Sequence, residues 1–159
     1  MSRIATKCAG NAFHIARISA ITSNEMFSSR EGVAEITGIE RTRLGRIEAG
    51  TLTPYPEEVL LLAHVYNAPE LSNHYCSKEC PLGKQTIRPV ETGDLDRLTL
   101  KALSALQDIV PIKDMLINVA ADGVISDAER PKFKQILDAL YMIADNAESL
   151  RLWAEKNLK

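Results

Sequence analysis

The chain has 159 residues, 45% hydrophobic and 25% charged, with 19 basic against 21 acidic side chains and a formal net charge of −2. That composition fits one globular domain or two small ones and excludes extended disorder, while apolar runs of only a few residues exclude a helical membrane span, which needs ~20. The N-terminus lacks a basic segment followed by an apolar one, and Cys8, Cys76 and Cys80 are too few and odd in number for a disulfide scaffold, so a soluble cytoplasmic protein with reduced thiols is predicted.

Charge is unevenly placed. Residues 1–50 carry seven Lys or Arg (Arg3, Lys7, Arg17, Arg30, Arg41, Arg43, Arg46) against five acids, a net of +2, and the remainder has 12 basic and 16 acidic residues, a net of −4. A small basic face on an acidic body is enough for a duplex partner, since each neutralised phosphate contributes through counterion release.

The first predicted helix follows Gly10 and Asn11, carries Phe13, Ile15, Ala16, Ile18 and Ile21, and ends near Ser23 or Asn24. A short polar linker leads to Ser28 or Ser29, which suits the N-cap of a second, two-turn helix with Val33, Ala34 and Ile36 on one face and Gly38 as its stop. Glu40 suits the cap of a third helix, in which Leu44 and Ile47 face inward and Ala49 and Gly50 mark the end; Arg41, Arg43 and Arg46 therefore point outward. Two prolines within 51–56 exclude a continuing helix. Pro56 opens a fourth, with Glu57 and Glu58 at its positive end and Val59, Leu60, Leu62, Ala63 and Tyr66 as core residues. Asn67 and Ala68 turn the chain into a fifth helix from Pro69 to Cys80, and His14 and His64 read as boundary core residues.

Residues 81–93, with two prolines and two glycines, read as a linker or an ordered arm. Beyond it Leu95, Leu98, Ala102 and Leu106 keep a helical period, which Ile109, Ile112, Leu116 and Val119 resume after a break near Pro111. Asp122 and Gly123 make a turn, and Ser126 with Glu129 resembles a capping box opening a helix that runs to Leu158, about 50 Å at ~1.5 Å per residue. Phe133, Leu140, Ala147 and Ala154 share one heptad position of that helix, and Ile136, Ile143 and Leu150 another. The stripe can pack on residues 95–119 as a helical hairpin or on a second chain; Trp153 and Tyr141 then serve as interface anchors or as intramolecular core. The fold class is all-α: a five-helix unit over 1–80, a linker, and a helical dimerisation or effector module over 94–159.

Arg30 to Leu71 carries a pattern found as Arg30, Glu31, Gly32, Val33, Ala34; then Gly38, Ile39; then Ile47, Glu48, Ala49, Gly50; then Pro56 to Ala63. It resembles the helix-turn-helix of Cro/C1-type repressors, the XRE family, over about the first half of the chain. The resemblance implies a five-helix, lambda-repressor-like DNA-binding domain whose third helix enters the major groove, with Arg41, Thr42 and Arg46 reading base edges. Arginine suits guanine O6 and N7 as a fork, and Thr42 several bases or a thymine methyl. Arg43, further round the helix, and Arg30, where members usually hold Gln, are expected on phosphate. After Gly50 many members have Lys or Arg; here Thr51, Leu52, Thr53 and Tyr55 stand instead, so Thr51 and Thr53 supply neutral phosphate donors and a shallow salt dependence is predicted. Glu48 commonly pairs with a first-helix arginine, for which Arg17 is the candidate. The partners implied are double-stranded DNA with a pseudo-palindromic operator and a second copy of the chain, with repression as the outcome. A protein-interaction adaptor or antitoxin-like partner that keeps the helix-turn-helix as scaffold is the alternative, motivated by the missing basic residues and the acidic second half.

Cys76 and Cys80, four apart on one helix face with His74 nearby, are thiolate and imidazole donors, but the spacing is not a common structural-zinc pattern. They read as thiols packing the fifth helix, with metal or thiol sensing as the other possibility. Asp122, Gly123, Asp127 and Glu129 lack the oxygen-rich run of a calcium loop, and no nucleophile elbow or phosphate loop is present, so neither cofactor nor catalysis is expected.

Overall fold

Local chemistry sets where each helix of the first half begins. Asn11 Oδ1 accepts from the N–H groups of Phe13 (2.9 Å) and His14 (3.3 Å) and opens α1 (Ala12–Ala20). Ser29 Oγ accepts from Gly32 N–H at 3.0 Å and opens α2 (Arg30–Thr37). Glu40 holds the N-cap position of α3 (Arg41–Glu48), but its carboxylate makes no capping bond. Pro56 starts α4 (Pro56–Val65), where the Glu58 carboxylate accepts from Tyr55 N–H at 2.7 Å; α5 is Glu70–Lys78.

These helices belong to a computed structural model that describes residues 8–107 and 109–158. Among the described residues all regular structure is helical, with no strand, and no helix is long and apolar enough to cross a membrane. Two units divide the chain, Met1–Pro89 and Val90–Lys159.

The first unit closes around Phe13, Ala16, Phe27, Val33, Ile39, Leu44, Ile47, Val59, Leu62, Tyr66 and Leu71, all buried. Each large apolar side chain so removed from water contributes about 1.5–3 kcal/mol. Phe27 and Tyr66 meet edge-on, centroids 5.4 Å apart. Several sequence expectations change here. The first helix ends at Ala20, and the segment read as polar linker forms a 3-10 helix, Glu25–Ser28, which seats Phe27 in the core. Leu60 is 64% exposed, because Val59, Leu62, Ala63 and Tyr66 complete the inward i, i+3, i+4, i+7 set and Leu60 lies about 100° round from it. Ile36, Ile15, Ile18 and His64 are exposed for the same reason of phase. In the stretch read as a linker or an ordered arm, α6 (Gly83–Thr86) forms a helical turn packed on α5, with Gly83 buried.

The second unit consists of α7 (Leu95–Gln107), α8 (Ile109–Val119) and α9 (Arg130–Asn157), with α9 packed against both others. Its 28 residues span about 42 Å. It starts at Arg130 rather than Ser126, because Ser126 donates N–H (3.0 Å) and Oγ–H (2.5 Å) to the Glu129 carboxylate and closes a separate turn, and Pro131 takes a first-turn place that needs no N–H. The heptad stripe also splits. Ile136 is buried beside Ile112 and Val119, with Phe133 and Ala139 packed on them, yet Leu140 and Ala147 are exposed. Further along, Ser149 and Leu152 are buried instead, and Leu152 lies about 160° round the helix from Ile136. The buried face thus changes sides along α9. Trp153 is half-buried and Tyr141 is 49% exposed.

Candidate nucleic-acid interface

The link between α2 and α3 is short and conformationally fixed. Gly38 sits at φ 73°, where a side chain is costly, and its N–H donates to Ala34 O at 2.9 Å. Thr37 Oγ1 donates to Val33 O at 2.8 Å and accepts from Ile39 N–H at 3.2 Å, and Ile39 is buried. Gly50, at φ 67°, releases the chain after α3.

A buried ionic cluster holds α3 from below. Glu48 is 2% exposed. Its carboxylate accepts from Arg17 Nε (2.6 Å) and Nη2 (3.2 Å) on α1, and from Arg30 Nε (2.9 Å) on α2, while His14 Nδ1 lies 3.2 Å away. Arg17 also donates to Phe27 O at 2.8 Å, so the pairing anticipated for Glu48 extends to the 3-10 helix. Burial pushes the Glu48 carboxyl up, but the hydrogen bonds and charges of Arg17 and Arg30 outweigh it and hold the group below its ordinary range.

The opposite side of α3 is open. Arg41, Thr42 and Arg46 are exposed together, spread over about 140° of the helix circumference. Leu44, Ile47 and Glu48 fill the buried side. Arg41 Nε lies 2.6 Å from Glu31 Oε1 of α2. Arg46 makes no ion pair among the described residues.

The residues expected on phosphate are engaged within the protein. Arg30 is held on Glu48, with its side chain 27% exposed. Arg43 forks onto Glu58 at 2.5 and 2.8 Å and stacks 4.3 Å from the Tyr55 ring centroid. Its hydrogen bonds hold the Glu58 carboxyl below the usual range against the opposing effect of burial. Thr51 Oγ1 donates to Arg46 O at 3.1 Å, and Thr53 Oγ1 to Glu79 Oε2 at 3.3 Å. Cys76, Cys80 and His74 are half-buried; Cys80 Sγ accepts from Gly83 N–H at 3.4 Å, and the His74 ring meets Phe13 edge-on. Among the described residues no three His, Cys, Asp or Glu side chains converge.

Three participants were not read from the sequence: Glu31 on Arg41, Glu58 on Arg43, and His14 on Glu48. Each pair is ten or more residues apart and falls on different helices, so only the fold brings the charges together. No protein-family model, curated protein or solved structure matches the chain.

Proposed function

We propose that the chain is a sequence-specific double-stranded DNA-binding protein, a transcriptional repressor that acts as a homodimer on a pseudo-palindromic operator. The observation that carries this reading is the sorting of α3, with its apolar and acidic side buried and Arg41, Thr42 and Arg46 exposed on the other. The resemblance of Arg30 to Leu71 to Cro/C1-type repressors supports it, and with it a lambda-repressor-like arrangement of α1 to α5. In this reading α3 lies in the major groove, Arg41 and Arg46 fork onto guanines, and Thr42 contacts a neighbouring base. Arg30 and Arg43 meet phosphates with the N–H donors their carboxylates leave, and Thr51 and Thr53 do so by turning their hydroxyls. So few uncommitted cations give a shallow dependence of affinity on salt.

Selection of bound duplexes from a random pool is the test. A repeated half-site containing guanine is the expected outcome, with Arg41→Ala and Arg46→Ala each weakening binding by about 1–3 kcal/mol and each relaxing one base position. Unchanged affinity and unchanged preference in both variants would overturn the assignment.

A second reading, a protein-interaction adaptor, is favoured by one feature. Leu100, Leu103, Val110, Ile117 and Met142 of the second unit are each more than half exposed, apolar area that suits a protein partner. Copurification of a stoichiometric partner, with no retention of any duplex at low salt, distinguishes it.

A further inference from the structure

The ion pair between α2 and α3 has no place in the support of either helix. Glu31 and Arg41 have side chains 61% and 68% exposed, so their contact at 2.6 Å neither closes the core nor fixes the turn. Its position on the guanidinium carries the argument. Arginine offers one Nε–H and two terminal Nη groups in a rigid plane. Glu31 Oε1 approaches Arg41 closest at Nε, as an ion pair at 2.6 Å without a hydrogen bond, on the inner side of that plane. The terminal pair of Nη groups is left to the solvent side, and such a pair matches guanine O6 and N7 as a fork. Arg43 contrasts with it, since Glu58 occupies its Nε and Nη2 together. Arg46 contrasts in the other direction, with no acid on it among the described residues.

We infer that Glu31 is a positioning residue for sequence preference: its charge draws Arg41 toward α2 on the Nε side, so that α3 distinguishes guanine at one base position. The inference rests on the DNA-reading assignment above. An arginine without this partner swings on a flexible stem and settles on the nearest phosphate as readily as on a base. The same carboxylate repels the DNA backbone. Removing it therefore moves two quantities in opposite directions, strengthening general DNA binding and weakening guanine preference, which loss of a purely structural contact does not do.

The test compares wild type, Glu31→Gln and Arg41→Ala. Each is assayed against the duplex that wild type selects from a random pool, against that duplex changed one base pair at a time, and against a mixed-sequence duplex, with thermal melting in parallel. Wild type is expected to favour guanine at the Arg41 position by about tenfold or more. Glu31→Gln is expected to lower that preference by about threefold, the scale of an exposed ion pair, leaving the other positions and the melting temperature unchanged. It is also expected to bind the mixed-sequence duplex about threefold more tightly. Arg41→Ala loses the same position. Wild-type preference retained in Glu31→Gln, or a uniform loss of affinity for all duplexes, overturns the inference while leaving DNA reading intact. Failure of wild type to select any sequence is a separate result and overturns both.

Discussion

Glu48 is a charge taken out of water, and it persists because two guanidiniums share it. Desolvation of a carboxylate costs several kcal/mol, and only a well-formed hydrogen-bonded cluster offsets it. Glu48→Gln leaves Arg17 and Arg30 facing a neutral amide, with Arg17 itself only 6% exposed at its side chain. The expected loss is about 3–5 kcal/mol, measured by chemical denaturation. The pH dependence follows from the sign of the shift. The folded carboxyl titrates below its unfolded value of about 4.3, so its stabilisation is complete above that value and is lost as pH falls through the folded one. Wild type should lose stability below about pH 5, at up to about 1.4 kcal/mol per pH unit for this one proton. Glu48→Gln should show a shallower acid limb, the remainder coming from groups such as Glu58, which is also held low. Identical acid limbs in the two proteins would rule Glu48 out as the source.

At the scale of the element, two glycines at opposite ends of the helix-turn-helix make opposite predictions. A Cβ on Gly32 would stand 2.2 Å from Met26 O, a backbone atom of the 3-10 helix, so α2 and that turn must part. Gly32→Ala should destabilise by about 1–3 kcal/mol. A Cβ on Gly45, within α3, meets only the Arg30 side chain at 3.8 Å or more, an ordinary contact. Gly45→Ala should therefore stabilise by about 0.5–1 kcal/mol through the helix preference of alanine. Denaturant midpoints with unchanged slopes check both, and a shared sign would refute the packing argument. The same elements show what was legible in the sequence and why. The pair α2 and α3 was readable because Val33, Leu44 and Ile47 keep a strict phase and Gly38 and Gly50 stand where the chain reverses. That phase also sends Arg41 and Arg46 outward, as found, but it sent Arg43 outward too, and Arg43 is half-buried on Glu58. The 3-10 helix was not readable, since Phe27 is its single buried apolar residue and four residues set no period. Nor was the split of α9, because a heptad pattern assumes one neighbour and this helix buries Ile136 on one side and Leu152 on nearly the other. The fates of Arg30 and Arg43 escaped for a third reason. Sequence gives the face an arginine starts from, and a long side chain ends on whichever carboxylate the fold brings near.

For the whole molecule, the two units differ in how well each hides its apolar side chains. The first buries Phe13, Phe27, Leu44, Leu62 and Leu71 in one continuous core, whereas in the second Leu100, Leu103, Val110 and Ile117 stay more than half exposed. In the repressor reading these side chains are covered by the second copy, and in the adaptor reading by a different protein. Wild type is expected to sediment as two chains at micromolar concentration, and Leu103→Lys combined with Ile117→Lys to sediment as one with its helical content kept. A wild-type monomer under those conditions would remove the second copy from the proposal. The buried cluster at Glu48 has a consequence for change over time. Leu44, Ile47, Glu48 and Arg43 tie α3 to its neighbours, whereas Thr42 and Arg46 are exposed and make no ion pair among the described residues, so both are replaceable without re-solving the fold. Arg41 is replaceable with its companion Glu31. If α3 reads DNA as proposed, a duplicated copy of this chain has a short mutational route to a new target, two or three codons long, that leaves the buried residues of α3 untouched.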